Sequence, residues 1–328
     1  MQLKDTHAIR HRYDYVYISP HFDDVAASCG GRILNQKQAG KSVLVVTVFS
    51  ARANRATRVN NRALQAMLDY DRRRLEDMKA MQLLGVDFLW LDFPEVLFRR
   101  QPSWRRYGIT YPDTDANKRL CHQITIQLAA ICKQTQCVEM MLPLGIGQHV
   151  DHQILFQTGL SRHQNSLRQH AILFYEEMPY ALFPFLRNYR LKKIFPGAIG
   201  LRHPHQIKAF SSQLPTKKLV YLLTDMPSLG LHHVISRPWI FLLLKVLDLG
   251  VRYLVRHSKT YFIESQIKPH IEDISSVIDL KVAAISAYGS QLHDAGPKSQ
   301  TIKKWLAAYA NCIGMAPASY GELYWRVR

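Results

Sequence analysis

Cysteine is scarce and follows no pairing pattern. Cys29, Cys121, Cys132, Cys137 and Cys312 form an odd, scattered set without a CxxC. That argues against a disulfide framework or a zinc ribbon and suits a reducing compartment. The chain also lacks GxGxxG, a P-loop, internal repeats and low-complexity tracts, so no dinucleotide or nucleoside-triphosphate fingerprint is present. Met1 to Arg12 is polar, without an apolar core, and no signal peptide is expected, which makes the cytoplasm the expected location. No apolar run reaches the ~20 residues of a membrane span. The nearest approach, residues 239–255 (WIFLLLKVLDLGVRYLV), carries Lys245, Asp248 and Arg252 on one helical face. We read it as an amphipathic helix packed on the domain or on a partner subunit, which leaves a homo-oligomer open. The alternative is peripheral contact with the inner face of a membrane, aided by Arg237, Arg256 and Lys259.

Acidic residues are also few, 25 against 43 Lys and Arg, giving a net charge of +18. A basic surface favours anionic partners, although scattered charge equally serves solubility. Arg52, Arg55, Arg58 and Arg62 form a local concentration, followed by Arg72, Arg73 and Arg74. No aromatic-interleaved motif accompanies them, so a nucleic-acid partner is not expected. With 47% hydrophobic and 21% charged residues over 328 positions, the composition is that of a globular protein able to bury a large core.

Strand and helix signals alternate from the start. Apolar runs predict strands at Tyr15–Ile18, Val43–Phe49, Phe88–Leu91, Val138–Leu142 and Ala171–Tyr175. Helical periodicity predicts helices at Asp24–Gln38, Asn61–Leu84 (stopped by Gly85), Lys118–Gln134 and Asp151–Gln164, and again at Ser276–Tyr288 and Thr301–Asn311. Repeated βα units imply an α/β, doubly wound and mostly parallel sheet, with function at the carboxyl ends of its strands. Prolines punctuate residues 180–270, which read as an irregular elaboration that shapes a cleft or a partner surface, within a single domain spanning 1–328.

Two clusters carry the chemistry. Ser19-Pro20-His21-Phe22-Asp23-Asp24 follows the first strand, and His149-Val150-Asp151-His152 follows the strand at 138–142. Two imidazoles and one carboxylate, His21, Asp24 and His152, suit a zinc ion and leave a position for water. Asp23 is the candidate base, although either aspartate is also placed to cap the following helix. His149 is a candidate to support an oxyanion or to protonate a leaving amine. Asp151 is a candidate to orient an imidazole through its other nitrogen. Arg52 and Arg55 follow a strand at the functional rim and are candidates to grip an anionic group, and Glu176 and Glu177 at another strand end are candidates for sugar hydroxyls.

SPHFDDVAASCGG (19–31) and PLGIGQHVDHQ (143–153) resemble the two signatures of the PIG-L/LmbE-like N-acetylglucosaminyl deacetylases. RRLEDMKAMQLLG (73–85), FYEEMPYA (174–181) and KVAAISAYGSQL (281–292) resemble further segments of that family. The resemblance implies a Rossmann-like fold, zinc and hydrolysis of an N-acyl group, commonly acetyl, from an amino sugar within a glycoconjugate or biosynthetic intermediate. By motif position it makes His21, Asp24 and His152 the ligands, Asp23 the base and His149 the helper. Phe22 and Val25 depart from the usual motif and are expected to alter the pocket lining. A second reading makes the fold a non-catalytic scaffold that docks a membrane or partner through residues 180–260.

Overall fold

In the computed structural model, residues 1–52, 69–96, 98–99, 115–160, 171–194, 267–292 and 299–327 are described. The amphipathic helix expected at 239–255, most of the 180–270 elaboration, and Arg55, Arg58 and Arg62 lie outside them. No helix among the described residues is long and apolar enough to cross a membrane.

The strands are β1 (Gln2–Leu3), β2 (Tyr15–Ser19), β3 (Val43–Thr47), β4 (Asp87–Trp90), β5 (Glu139–Pro143), β6 (Ala171–Tyr175), β7 (Ile267–Asp273) and β8 (Gly321–Val327). They form one sheet in the order β1-β4-β3-β2-β5-β6-β8-β7. The first six strands run parallel, β8 pairs antiparallel with β6, and β7 antiparallel with β8. The helices are α1 (Asp24–Gln38), α2 (Tyr70–Leu84), α3 (Asp115–Thr135), α4 (Val150–Leu160), α5 (Pro184–Ile194), α6 (Ile278–Ser286) and α7 (Ser299–Cys312).

All five residues of β3 (VLVVT) are buried, as a central parallel strand covered on both faces requires. From β2 the chain winds outward through β3 and β4 on one side, and returns through β5 and β6 on the other. The order therefore reverses between β2 and β5, whose side-by-side carboxyl ends open a crevice at the switch point. Both sequence clusters leave the sheet there.

The third layer closes on α1. A Cβ at Gly31 would lie 2.5 Å from Ile274, so this position admits only glycine while the segment before α6 keeps its place. Nearby, the buried Glu322 of β8 accepts from Lys281 Nζ (2.7 Å), Tyr324 Oη (2.7 Å) and the Gly31 and Arg32 amides (2.8 and 2.9 Å). This carboxylate joins the antiparallel end of the sheet to α1 and α6. Glu322→Ala would leave the Lys281 ammonium buried without its counter-charge, so a stability loss of about 3–5 kcal/mol is expected. A chemical-denaturation midpoint lowered at unchanged slope is the corresponding measurement.

Candidate metal centre and active site

The first cluster turns sharply from β2 into α1. Ser19 Oγ accepts from the Val25 amide (3.2 Å) and donates to the His21 carbonyl (2.5 Å), which closes the turn and caps the helix. Asp23 occupies the N-cap position, yet its side chain makes no capping bond. Its half-buried carboxylate is thus not spent on the helix. The buried Asp24 turns Oδ2 back to the His21 amide (2.9 Å), at a helix N-terminus that favours negative charge.

The second cluster is set by a loop that needs glycine twice. Gly145 and Gly147 take φ of +84° and +85°, and a Cβ on Gly147 would meet the Tyr180 ring at 2.8 Å. This fold of the loop delivers His149 and His152 across the crevice from His21. The three rings lie with centroids 4.9–5.3 Å apart. Their nitrogens fall within 4.8 Å of one another, a group able to hold a metal ion.

The outer contacts give each imidazole a direction. His21 Nε2 lies 3.2 Å from Asp151 Oδ2, which leaves Nδ1 facing Asp24 Oδ2 at 3.2 Å. His152 Nδ1 lies 3.2 Å from Glu177 Oε1, which leaves Nε2 facing the same Asp24 oxygen at 3.3 Å. Donation to a carboxylate from one nitrogen leaves a lone pair on the other. Two lone pairs and a carboxylate oxygen therefore converge at separations close to the ~3.3 Å edge of a tetrahedron with 2.0–2.1 Å zinc bonds. The donor set fits zinc. Without a cation the site attracts protons instead: burial opposes the charge on His152, but Asp24 and Glu177 raise its pKa to about 9.

His149 differs. Its Nδ1 accepts from the Asp151 amide (3.3 Å), which places the proton on Nε2 and makes that nitrogen a donor. Burial lowers its pKa to about 4, so the ring is neutral near pH 7. Burial, then the neighbouring Asp24, push Asp23 up to about 6. Burial also opposes the charge on Asp151, but the Arg99 guanidinium and His21 hold its carboxyl well below the usual range. Arg99 Nη2 donates to Asp151 Oδ1 at 2.5 Å, and the Val96 amide donates to Oδ2 at 3.0 Å. Asp151 thus faces His21 with its side chain and His149 with its backbone.

Other expected site residues fall differently. Glu176 is 2% exposed and accepts from Arg187 Nε, Tyr309 Oη and Trp325 Nε1 at 2.6–2.9 Å. It ties α5, α7 and β8 together, and sugar binding by its carboxylate is corrected accordingly. Glu177, its neighbour along the chain, points the other way and accepts from His152 and from the Gly145 and Ile146 amides. Arg52 pairs with Asp71 at 2.6 Å on the exposed side. Phe22 and Val25 are fully buried. Phe22 packs against Tyr70, Trp90 and the Arg73 guanidinium, so it serves the layer beneath α1 and does not line the pocket.

Glu177 is the functional residue that sequence reasoning places least well. Glu177→Ala should release the His152 ring and weaken metal binding about 10- to 100-fold. Competition titration of the zinc-loaded protein with a chelator reads this directly.

Residues 16–162 match the family described as PIG-L, GlcNAc-PI de-N-acetylase. The matched segment resembles a PIG-L-family domain. Both matched sequence relatives are named deacetylases. A 2'-N-acetylparomamine deacetylase of Niallia circulans is 29% identical over 191 residues, covering 51% of this chain and 67% of that protein. A second 2'-N-acetylparomamine deacetylase, from Streptomyces fradiae, is 28% identical over 165 residues, or 50% of this chain and 56% of the relative. The fold is shared with a deacetylase of teicoplanin biosynthesis, solved as its bog complex, with a TM-score of 0.63, 17% identity and coverage of 96% and 97% of the two chains. The A40926 pseudoaglycone deacetylase Dbv21 is similar, with a TM-score of 0.59, 17% identity and coverage of 97% and 98%. Both of this chain's signature clusters lie inside the matched PIG-L segment.

Proposed function

We propose that this protein is a zinc-dependent deacetylase that hydrolyses the N-acetyl, or a related N-acyl, amide of a 2-acetamido sugar carried in a glycoconjugate or biosynthetic intermediate. The observation that carries this reading is the convergence of His21 Nδ1 and His152 Nε2 on one oxygen of Asp24, at 3.2 and 3.3 Å. The relatives support this substrate class, since both are named 2'-N-acetylparomamine deacetylase.

His21, Asp24 and His152 would hold the zinc, which when bound supplies Lewis-acid polarisation and lowers the pKa of water. Asp23 stands beside this set with a carboxylate that the helix cap does not use, and acts as the base that accepts the proton of the attacking water. His149, with Nδ1 already accepting a backbone amide, donates from Nε2 to the carbonyl oxygen as negative charge grows there. A neutral imidazole is a competent donor in that role and stays uncharged near pH 7. The proton held by Asp23 then passes to the nitrogen as the C–N bond breaks. Water has been added across that bond, giving a carboxylic acid and a free amine.

The test is a mass-spectrometric screen for loss of acetyl across acetamido sugars, with 2'-N-acetylparomamine and N-acetylglucosamine conjugates included. Zinc-loaded protein should release acetate from at least one of them, and chelated protein from none. Release that is indifferent to chelation would overturn the metal-dependent reading.

A further inference from the structure

The segment resembling the family's C-terminal stretch, KVAAISAYGSQL, ends on a turn that bonds to α2 and reaches Asp23 at the start of α1. Three bonds clamp this turn to α2. Tyr288 Oη donates to Asp77 Oδ1 (2.7 Å), the Ser290 amide to Glu76 Oε1 (2.7 Å), and Ser290 Oγ to Glu76 Oε2 (2.5 Å). Within the turn, the Gln291 and Leu292 amides both donate to the Tyr288 carbonyl, at 3.2 and 3.0 Å. Tyr288 and Ser290 are buried, so the backbone leading into Gln291 is held in place.

What this clamp presents is the Gln291 side chain. With its amide nitrogen turned toward the crevice, Gln291 donates to both oxygens of Asp23, at 2.8 Å from Oδ1 and 3.2 Å from Oδ2. With the oxygen turned there instead, it would face the two carboxylate oxygens, with only the Arg73 guanidinium, at 3.5 Å, as donor. An ionised carboxylate selects the first arrangement. Asp23 makes no side-chain capping bond to its own helix, which leaves its carboxylate to the Gln291 amide.

We infer that Gln291 is a positioning residue for the deacetylation: its amide fixes the Asp23 carboxylate in the orientation from which it accepts the proton of water. This rests on the hydrolytic reading above. It assigns a part in the reaction to a residue 268 positions away in sequence, delivered by a turn that α2 holds in place. Gln291 does not reach the metal-ligand set, so its loss should leave metal binding alone.

The experiment compares zinc-loaded wild type, Gln291→Met, Gln291→Glu, Asp23→Ala and the Asp23→Ala/Gln291→Met double variant on whichever of 2'-N-acetylparomamine and N-acetylglucosamine the wild type deacetylates. Met keeps the volume and removes the donor, and Glu keeps the shape and places an acceptor against Asp23. Losing a hydrogen bond to a charged group should lower kcat about 10- to 100-fold in either single variant. KM should stay within about twofold and zinc content should match wild type. In the Asp23→Ala background the Met substitution should have no further effect, since the group it positions is gone. A kcat for Gln291→Met within about twofold of wild type, or an equal fall in both backgrounds, would overturn the inference. Crystal structures of wild type and Gln291→Met test it without turnover: the Asp23 carboxylate should leave its rotamer in the variant, and an unmoved carboxylate would also overturn it. Absence of turnover by the wild type would count against the hydrolytic reading, and the structural comparison would still decide on the positioning.

Discussion

Asp23→Asn is expected to lower kcat by about 100- to 10,000-fold, the range in which a positioned base contributes, while zinc content stays at the wild-type level. The separation of the two readouts follows from geometry. Asp24 sends one oxygen to both imidazoles, whereas the Asp23 carboxylate is met by the Gln291 amide. The asparagine has the same shape and can still accept from the Gln291 amide, so local packing should survive. The buried Arg73 nearby keeps its counter-charge in Glu95, 2.8 Å away, and the change should not strand a cation. Elemental analysis paired with an acetate-release assay measures both quantities. Activity within about tenfold of wild type with zinc bound would place the base elsewhere.

Asp24→Ala should act through the opposite channel. It removes the oxygen on which His21 Nδ1 and His152 Nε2 converge, leaving two imidazoles without an anionic ligand between them. Zinc affinity should fall beyond the about 10- to 100-fold expected for loss of an outer partner such as Glu177, and deacetylation should vanish at micromolar zinc. The fold should persist, because the turn into α1 is closed by Ser19 and not only by Asp24. Equilibrium dialysis with zinc, together with circular dichroism to verify folding, gives the comparison. Retention of one tightly bound zinc by Asp24→Ala would assign the third ligand position to another residue, His149 being the imidazole near enough to take it.

These effects are separable because the two motifs divide their residues by direction, and much of that division is readable in the chain. The β-branched run of β3 declares a central strand, and Gly85 at φ +68° ends α2 where its position after a long periodic segment predicts. The two clusters, each following an apolar strand, point to the ends of β2 and β5, and those strands are neighbours. β7 and β8 are hidden from such a reading for physical reasons. β7, IKPHIED, is an edge strand with a proline and solvent-facing polar residues, and β8 joins by antiparallel pairing to a strand about 150 residues earlier. Neither has a local hydrophobic period strong enough to announce it.

The partners of the site are equally unreadable, because they depend on distant contacts. Nothing in FYEEMPYA says which glutamate meets His152. The end of β6 sends Glu176 among Arg187, Tyr309 and Trp325, and leaves Glu177 for the imidazole. Phe22 reads as a change in the pocket because it sits inside the signature. Its ring turns into the packing between α1 and α2, where Tyr70 and Trp90 receive it edge-on. The buried Phe22 side chain is therefore committed to packing.

X-ray absorption at the zinc edge of the metal-loaded protein tests the central claim most directly. The division of labour between ligands, base and donor predicts a zinc shell with two imidazoles, those of His21 and His152, completed by oxygen from Asp24 and solvent. The spectrum of His149→Ala should then match that of the wild type in its imidazole contribution. A shell of three imidazoles that drops to two in His149→Ala would contradict the account, making His149 a ligand and leaving the carbonyl oxygen without its proposed donor.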